Sequence, residues 1–165
     1  MDYNSQRTIM SADAFVNGAE GECYIRVDGK WTNLMSVKSL DATLDKNVET
    51  VSRLGTRQKA HKTTSTEGTG SMTTYFVTSL FAKKAKEYLD TGKEFYFDIQ
   101  VINHDAASGI GTQDVILKHC SVTSIPITKL DIDDSNLEID LDFNFDDYDL
   151  NSEFDVTTGV GDAAR

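Results

Sequence analysis

From Glu22 onward, apolar side chains recur mostly at every second position, the period of a strand with one covered face. Cys23-Tyr24-Ile25-Arg26-Val27 runs into Asp28-Gly29 before Trp31 resumes the pattern. That dipeptide predicts a hairpin, because the favoured two-residue turn needs positive φ at both central positions. Leu34 to Lys46 reads as a long, weakly alternating strand. Leu40, Ala42 and Leu44 share one parity, Met35 and Val37 the other, and Val48 to Val51 can extend it. Further strands are predicted at Met72–Val77, at Phe95–Val101, and around Val115 and Leu117. The cleanest alternation is Leu137, Ile139, Leu141, Phe143 and Phe145, with Glu138, Asp140, Asp142 and Asn144 between them.

One segment has the helical period. Leu80, Phe81, Ala85, Tyr88 and Leu89 predict a helix over about 79–90, capped by Thr78 or Ser79 and closed by Gly92. Its apolar stripe should cover a sheet, since one helix cannot make a core alone. Residues 53–70 hold no strong hydrophobe after Leu54 and predict a long loop, of a length that is usually functional or disordered. The stretch 105–111 predicts a turn, and Pro126 a loop or an edge. Six or seven strands and one helix make a mainly β fold: an antiparallel sandwich or barrel with a flanking α-helix. Residues 1–20 are expected as an N-terminal arm, 21–150 as the β domain and 151–165 as an acidic tail.

The length of 165 residues suits one domain, and the charge matters through its placement. Residues 1–130 hold 15 acids and 15 bases, whereas 131–165 hold 12 acids and Arg165, so the net charge of −11 lies entirely in the last fifth. That balance does not suit a phosphate-backbone binder, and a solubilising tail is the simplest reading of the acidic end. Cys23 and Cys120 show no metal-ligand spacing and are expected as core thiols in a reducing compartment. The opening MDYNSQRTIMSADAF carries no secretion signal pattern, and no apolar run reaches the ~18 residues of a membrane span. No stable membrane association is expected.

Candidate chemistry is sparse. His61, His104 and His119 offer little for a histidine-based site, and nucleophile-elbow, zincin and Walker A motifs do not occur. Gly109 and Gly111 match two glycines of a dinucleotide fingerprint, but Asp114 takes the third place and no helix pattern follows. Asp142, Asn144, Asp146 and Glu153 fit a calcium-loop spacing, yet Asp147 replaces its central glycine and the first two belong to the alternating strand. An acidic strand face explains them better. No enzyme activity, metal or cofactor is expected, and binding or assembly is the better class.

The stretch from Gly55 to Ser79 carries Arg57, His61-Lys62-Thr63-Thr64, Gly68-Thr69-Gly70 and Val77-Thr78-Ser79. With the hairpin before it, the helix after it, Ser108-Gly109, Gly111-Thr112 and Phe145-Asp146-Asp147-Tyr148-Asp149, it resembles the tail tube proteins of contractile phages. The likeness is to the group typified by PBSX-like defective prophages and R-type, tail-like bacteriocins. It covers roughly residues 21–150, with Ser65 where the pattern has glycine.

The resemblance implies a small β-sandwich that forms hexameric rings stacked into a hollow tube, as a component of a virion tail or tail-like particle assembled in the bacterial cytoplasm. Its implied partners are further copies of itself, a contractile sheath, baseplate or tube-initiator proteins and a tail terminator, with DNA as transient cargo in a phage. On the residues alone, the basic loop reads as a solvated loop or as a nucleic-acid contact lacking aromatic stacking partners. The resemblance adds a third reading, in which Arg53, Arg57, Lys59, His61, Lys62, Thr63 and Thr64 contact a neighbouring subunit or ring. Asp41, Asp45, Glu138, Asp140 and Asp142 are candidates for lumen-facing or inter-subunit acids, which repel a sliding polyanion. The competing expectation is a monomeric β-sandwich that binds carbohydrate or protein. It would want aromatics clustered in loops, whereas Trp31, Tyr75 and Tyr96 lie in strand patterns.

Overall fold

The computed structural model describes residues 15–105 and 111–154. After a 3-10 turn at Gly18–Glu20, the described chain forms β1 (Glu22–Val27), β2 (Lys30–Asn33), β3 (Val37–Val51), β4 (Ala60–Tyr75), α1 (Leu80–Thr91), β5 (Phe97–His104), β6 (Thr112–Ser124), β7 (Glu138–Phe145) and β8 (Asp147–Ser152). Every pairing is antiparallel. Sheet A runs β2-β1-β5-β6-β8 and sheet B runs β6-β7-β4-β3, with β6 common to both. The mainly β architecture with one helix agrees with the sequence pattern. The β1–β2 turn has φ of 50° at Asp28 and 81° at Gly29, as its dipeptide requires.

A bulge lets β6 serve both sheets. Lys118 and His119 stand opposite the single Asp98, and His119 takes a φ of 54°. Such an extra residue bends a strand and increases its twist. The Asp98 carboxylate accepts the His119 N–H at 2.9 Å and also pairs with Arg26, so the strained position is held from the side. The chain of β7 and β8 breaks at the same corner, where the Asp146 N–H donates to the Lys118 carbonyl at 3.2 Å.

The core lies between the inner faces of the sheets. Ile25, Ile99 and Leu117 form one cross-strand row of sheet A; Leu40, Met72 and Leu141 form one of sheet B. The next rows of sheet B place Gly70 beside Phe143 and Gly68 beside Phe145. An added Cβ on Gly70 would lie 2.4 Å from the Phe143 ring, and one on Gly68 would lie 2.6 Å from the Phe145 ring. The glycines of the Gly68-Thr69-Gly70 motif therefore leave the space that the two rings fill. Helix α1 is entered through the Thr78 hydroxyl, which accepts the Leu80 N–H, and ends at Gly92 with φ of 70°.

Three expectations change. The loop expected over 53–70 ends at Lys59, because from Ala60 the chain pairs with β3. Up to Glu67 this strand lies beyond the reach of β7, so neither face is covered and its sequence needs no alternation. Strand β8 was not foreseen. It pairs with β6 over six residues, and its short alternation is limited to Tyr148 and Leu150, which stand opposite Leu117 and Val115. The helix stripe covers the sheet only through its first turns: Phe81 packs edge-on to Phe97, while Tyr88 and Leu89 stay exposed. Of the expected 105–111 turn, residues 106–110 with Gly109 lie outside the described residues, while Gly111 takes a φ of 90°; most of the arm over 1–20 and most of the tail over 151–165 also lie outside them.

Candidate assembly surfaces

Directly paired residues of antiparallel strands share a face, so the register of sheet B fixes which acids stand together. Asp41, Ser71 and Asp142 form one row, and Thr43, Thr69, Asn144 and Ser121 the next. Ser39, Thr73 and Asp140 form a third, with Asp45 beside Glu67 and Tyr75 beside Glu138 toward the two ends. Asp41, Asp45, Glu138, Asp140 and Asp142 thus all fall on the outer face of one sheet. Hydrogen bonds knit that face together: Thr73 donates to Asp140 at 2.7 Å, and the Thr43 and Thr69 hydroxyls meet at 3.3 Å. Apart from Tyr75 at its rim, these rows contain no large apolar side chain. Lys38, at a bulge on the margin, donates to Glu138 at 2.8 Å, and this bond raises its pKa.

Sheet B also has two open edges among the described residues. Strand β3 pairs only with β4, and the Ser121–Ser124 half of β6 pairs only with β7. Long open edges are templates for pairing with another chain.

The basic residues stand elsewhere. The β3–β4 hairpin extends past Gly68, the last partner of β7, by eight residues of β4, roughly 26 Å at ~3.3 Å each. At its tip Arg53, Arg57, Lys59 and Lys62 are exposed, and none joins an ion pair among the described residues. Leu54 beside them is fully exposed, and His61 is the second residue of the return strand, opposite Thr50. The two threonines differ: Thr63 pairs with Val48, whereas Thr64 is the extra residue of a bulge, its hydroxyl donating to the Asn47 carbonyl at 3.1 Å. Ser65 accepts the Asn47 amide at 2.9 Å. The acids therefore line the shaft of the hairpin and the cations its far end.

Sequence patterns missed a third surface. The connection from β6 to β7 bares Ile127, Leu130 and Ile132, the last two 94% and 97% exposed. Its only signal was an aperiodic scatter of apolar residues among acids. The calcium-like residues do not form a loop: Asp142 and Asn144 project along β7, with Asp146 beyond it. The aromatics that a carbohydrate site would use have internal partners, Trp31 under Arg26 at 5.1 Å and Tyr96 stacked on His119 at 3.9 Å.

Both thiols are free, Cys120 buried and Cys23 partly so, and burial pushes their pKa up to about 12 and about 11. A thiol held neutral stabilises the fold below its unfolded pKa near ~8.5 and loses that contribution as pH rises to the folded value. Alkylation at pH 8 should accordingly spare Cys120 in the folded protein and become rapid only with unfolding.

The family model of phage tail tube proteins matches residues 8–151. The phage-like element PBSX protein XkdM of Bacillus subtilis (strain 168) is 35% identical over 141 residues, covering 86% of this chain and 93% of the relative. YqbM of the same organism is 34% identical over 148 residues, covering 90% and 98%. Among solved structures, a chain of an extracellular contractile injection system sheath–tube complex shares the fold, with a TM-score of 0.62 at 9% identity over 86% of this chain and 95% of that one. A projecting β-hairpin, open sheet edges and a polar outer face are the equipment of a subunit that builds a larger body, and the chain belongs to the phage tail tube protein family.

Proposed function

We propose that this tube subunit forms hexameric rings whose outer face of sheet B lines the bore, with β3 of one copy paired to the β6 edge of its neighbour. The observation that carries this reading is the grouping of Asp41, Asp45, Glu138, Asp140 and Asp142 on one face without apolar cover. A heterologous edge-to-edge contact that closes makes a ring and leaves no free edge. Acids toward the bore let a polyanion slide, whereas lysines would hold it through counterion release. The rings stack through the hairpin tip, with Arg53, Arg57, Lys59, His61 and Lys62 meeting the next copy. A sheath outside the tube, an initiator at the baseplate and a terminator complete the proposed partners, and the subunit's role is structural rather than catalytic. The occurrence of a similar fold in a sheath–tube complex supports the sheath as a partner.

Cysteine labelling tests the bore. In a Cys23→Ser background, Ser71→Cys should react with a small maleimide both before and after tube assembly. A maleimide coupled to a large protein should react only before assembly. Equal reaction of the bulky reagent with tubes would place the face outside, and protection from both reagents would place it in a subunit contact.

A further inference from the structure

The two ends of the β3–β4 hairpin carry opposite charge, and each presents bare apolar side chains. At the tip, Arg53, Arg57 and Lys59 share the connection between β3 and β4 with the fully exposed Leu54, and no acid lies between Glu49, which stands opposite Lys62, and Glu67. At the base, the connection between β6 and β7 is tied down by the Lys129 ammonium donating to the Glu138 carbonyl at 2.9 Å. The Phe76 N–H donates to the Leu137 carbonyl at 2.8 Å. This connection carries Asp131, Asp133 and Asp134 beside the exposed Leu130 and Ile132. Asp134 lies 3.9 Å from Lys129, and the Asp131 carboxylate accepts the Asp133 N–H at 3.0 Å; among the described residues neither Asp131 nor Asp133 joins an ion pair. Glu138 pairs with Tyr75, whereas the tip lies beyond Ala60, so the two surfaces are separated by the length of β4, about 50 Å of strand.

We infer that residues 127–134 of one copy are the receptor for the 53–62 hairpin tip of the next copy along the tube, with Asp131 and Asp133 facing its cations and Leu130 and Ile132 covering Leu54. This inference rests on the tube reading and names the partner surface for its stacking contact. Surfaces that differ and sit at opposite ends of one long element make a heterologous contact, which propagates along an axis instead of closing. Opposite charges steer such an encounter and fix its register, and the apolar side chains lose their exposure when it forms. The polar face of sheet B is a poorer receptor, because it has the charge but no apolar group for Leu54 to meet.

The experiment compares four full-length proteins by electron microscopy and circular dichroism: wild type, the tip reversal Arg57→Glu with Lys59→Glu, the receptor reversal Asp131→Lys with Asp133→Lys, and the combination of all four. Wild type should form tubes, each reversal should give folded protein without tubes, and the combination should form tubes again at wild-type concentration. A further variant, Leu130→Ser with Ile132→Ser, alters only exposed positions and should raise the concentration needed for tubes roughly tenfold, the change that ~1.4 kcal/mol produces in an association constant. Wild-type-length tubes from the receptor reversal, or no recovery in the combination, would overturn the inference while leaving the tube reading intact. A wild-type chain that forms no tubes even on baseplate seeds would instead remove the tube reading and the inference with it.

Discussion

Replacing Phe143 with alanine is expected to cost about 3–5 kcal/mol, because it empties the centre of the core. Phe143 is 1% exposed, and its ring fills the space over Gly70 on the neighbouring strand. Loss on this scale is a large part of the ~5–15 kcal/mol that holds a typical domain together. The reciprocal change, Gly70→Ala, should cost about 1–3 kcal/mol by overpacking, since its methyl carbon would lie 2.4 Å from that ring. In a Phe143→Leu background the clash with the ring is relieved and only the Asp41 carbonyl, 2.8 Å from the methyl, still opposes it, so Gly70→Ala should cost less there than in the wild type. Urea unfolding of unassembled subunits, followed by far-UV circular dichroism, measures all the terms of this cycle. Costs that simply add would show that glycine and ring do not interact, since coupling is what neighbours in contact display.

The second large effect concerns the bore. Asp41→Lys combined with Asp142→Lys should convert tubes that ignore DNA into tubes that take it up. The two acids flank Ser71 in a single row, are exposed and join no ion pair among the described residues, so their replacement should spare the fold. In the proposed arrangement each ring repeats the new lysines around its bore. Contacts with some 6–10 phosphates would weaken affinity about 10³–10⁵-fold between ~50 and ~200 mM salt, and that slope is the signature to measure. Fluorescence anisotropy of a labelled oligonucleotide gives the affinity, and nuclease protection gives the location. Bound but nuclease-sensitive DNA would put sheet B on the outside of the tube. Tubes still indifferent to DNA would sink the assignment of the acids to the bore.

The acids and cations chosen from the sequence have different standing once the fold is known. Parity along β7 already placed Glu138, Asp140 and Asp142 together, because alternation within one strand is a local property. It did not say that Asp41 and Asp45, a hundred residues away, would join them. That follows from the register of β3 on β4 and of β4 on β7. The cations around Arg57 were legible as a cluster, but the strand that carries them outward was not. Residues 60–67 lack an apolar face, and only their pairing with β3 makes them a strand. Leu130 and Ile132 gave no periodic signal at all, and their exposure is visible only in three dimensions.

What the sequence by itself determined is the set of features that neighbouring residues dictate. The Asp28-Gly29 turn needs only two positive φ angles, helix α1 only its spacing with Thr78 and Gly92 at its ends, and β7 only its alternation. The same local patterns carried the likeness to tail tube proteins. Tertiary structure alone decided the bend of β6 at His119, whose φ of 54° is held by Asp98 from another strand. It also decided the role of Gly68 and Gly70, whose missing side chains matter because phenylalanine rings from β7 occupy their places. Both depend on groups brought together by strand register over tens of residues, and no local period encodes that distance.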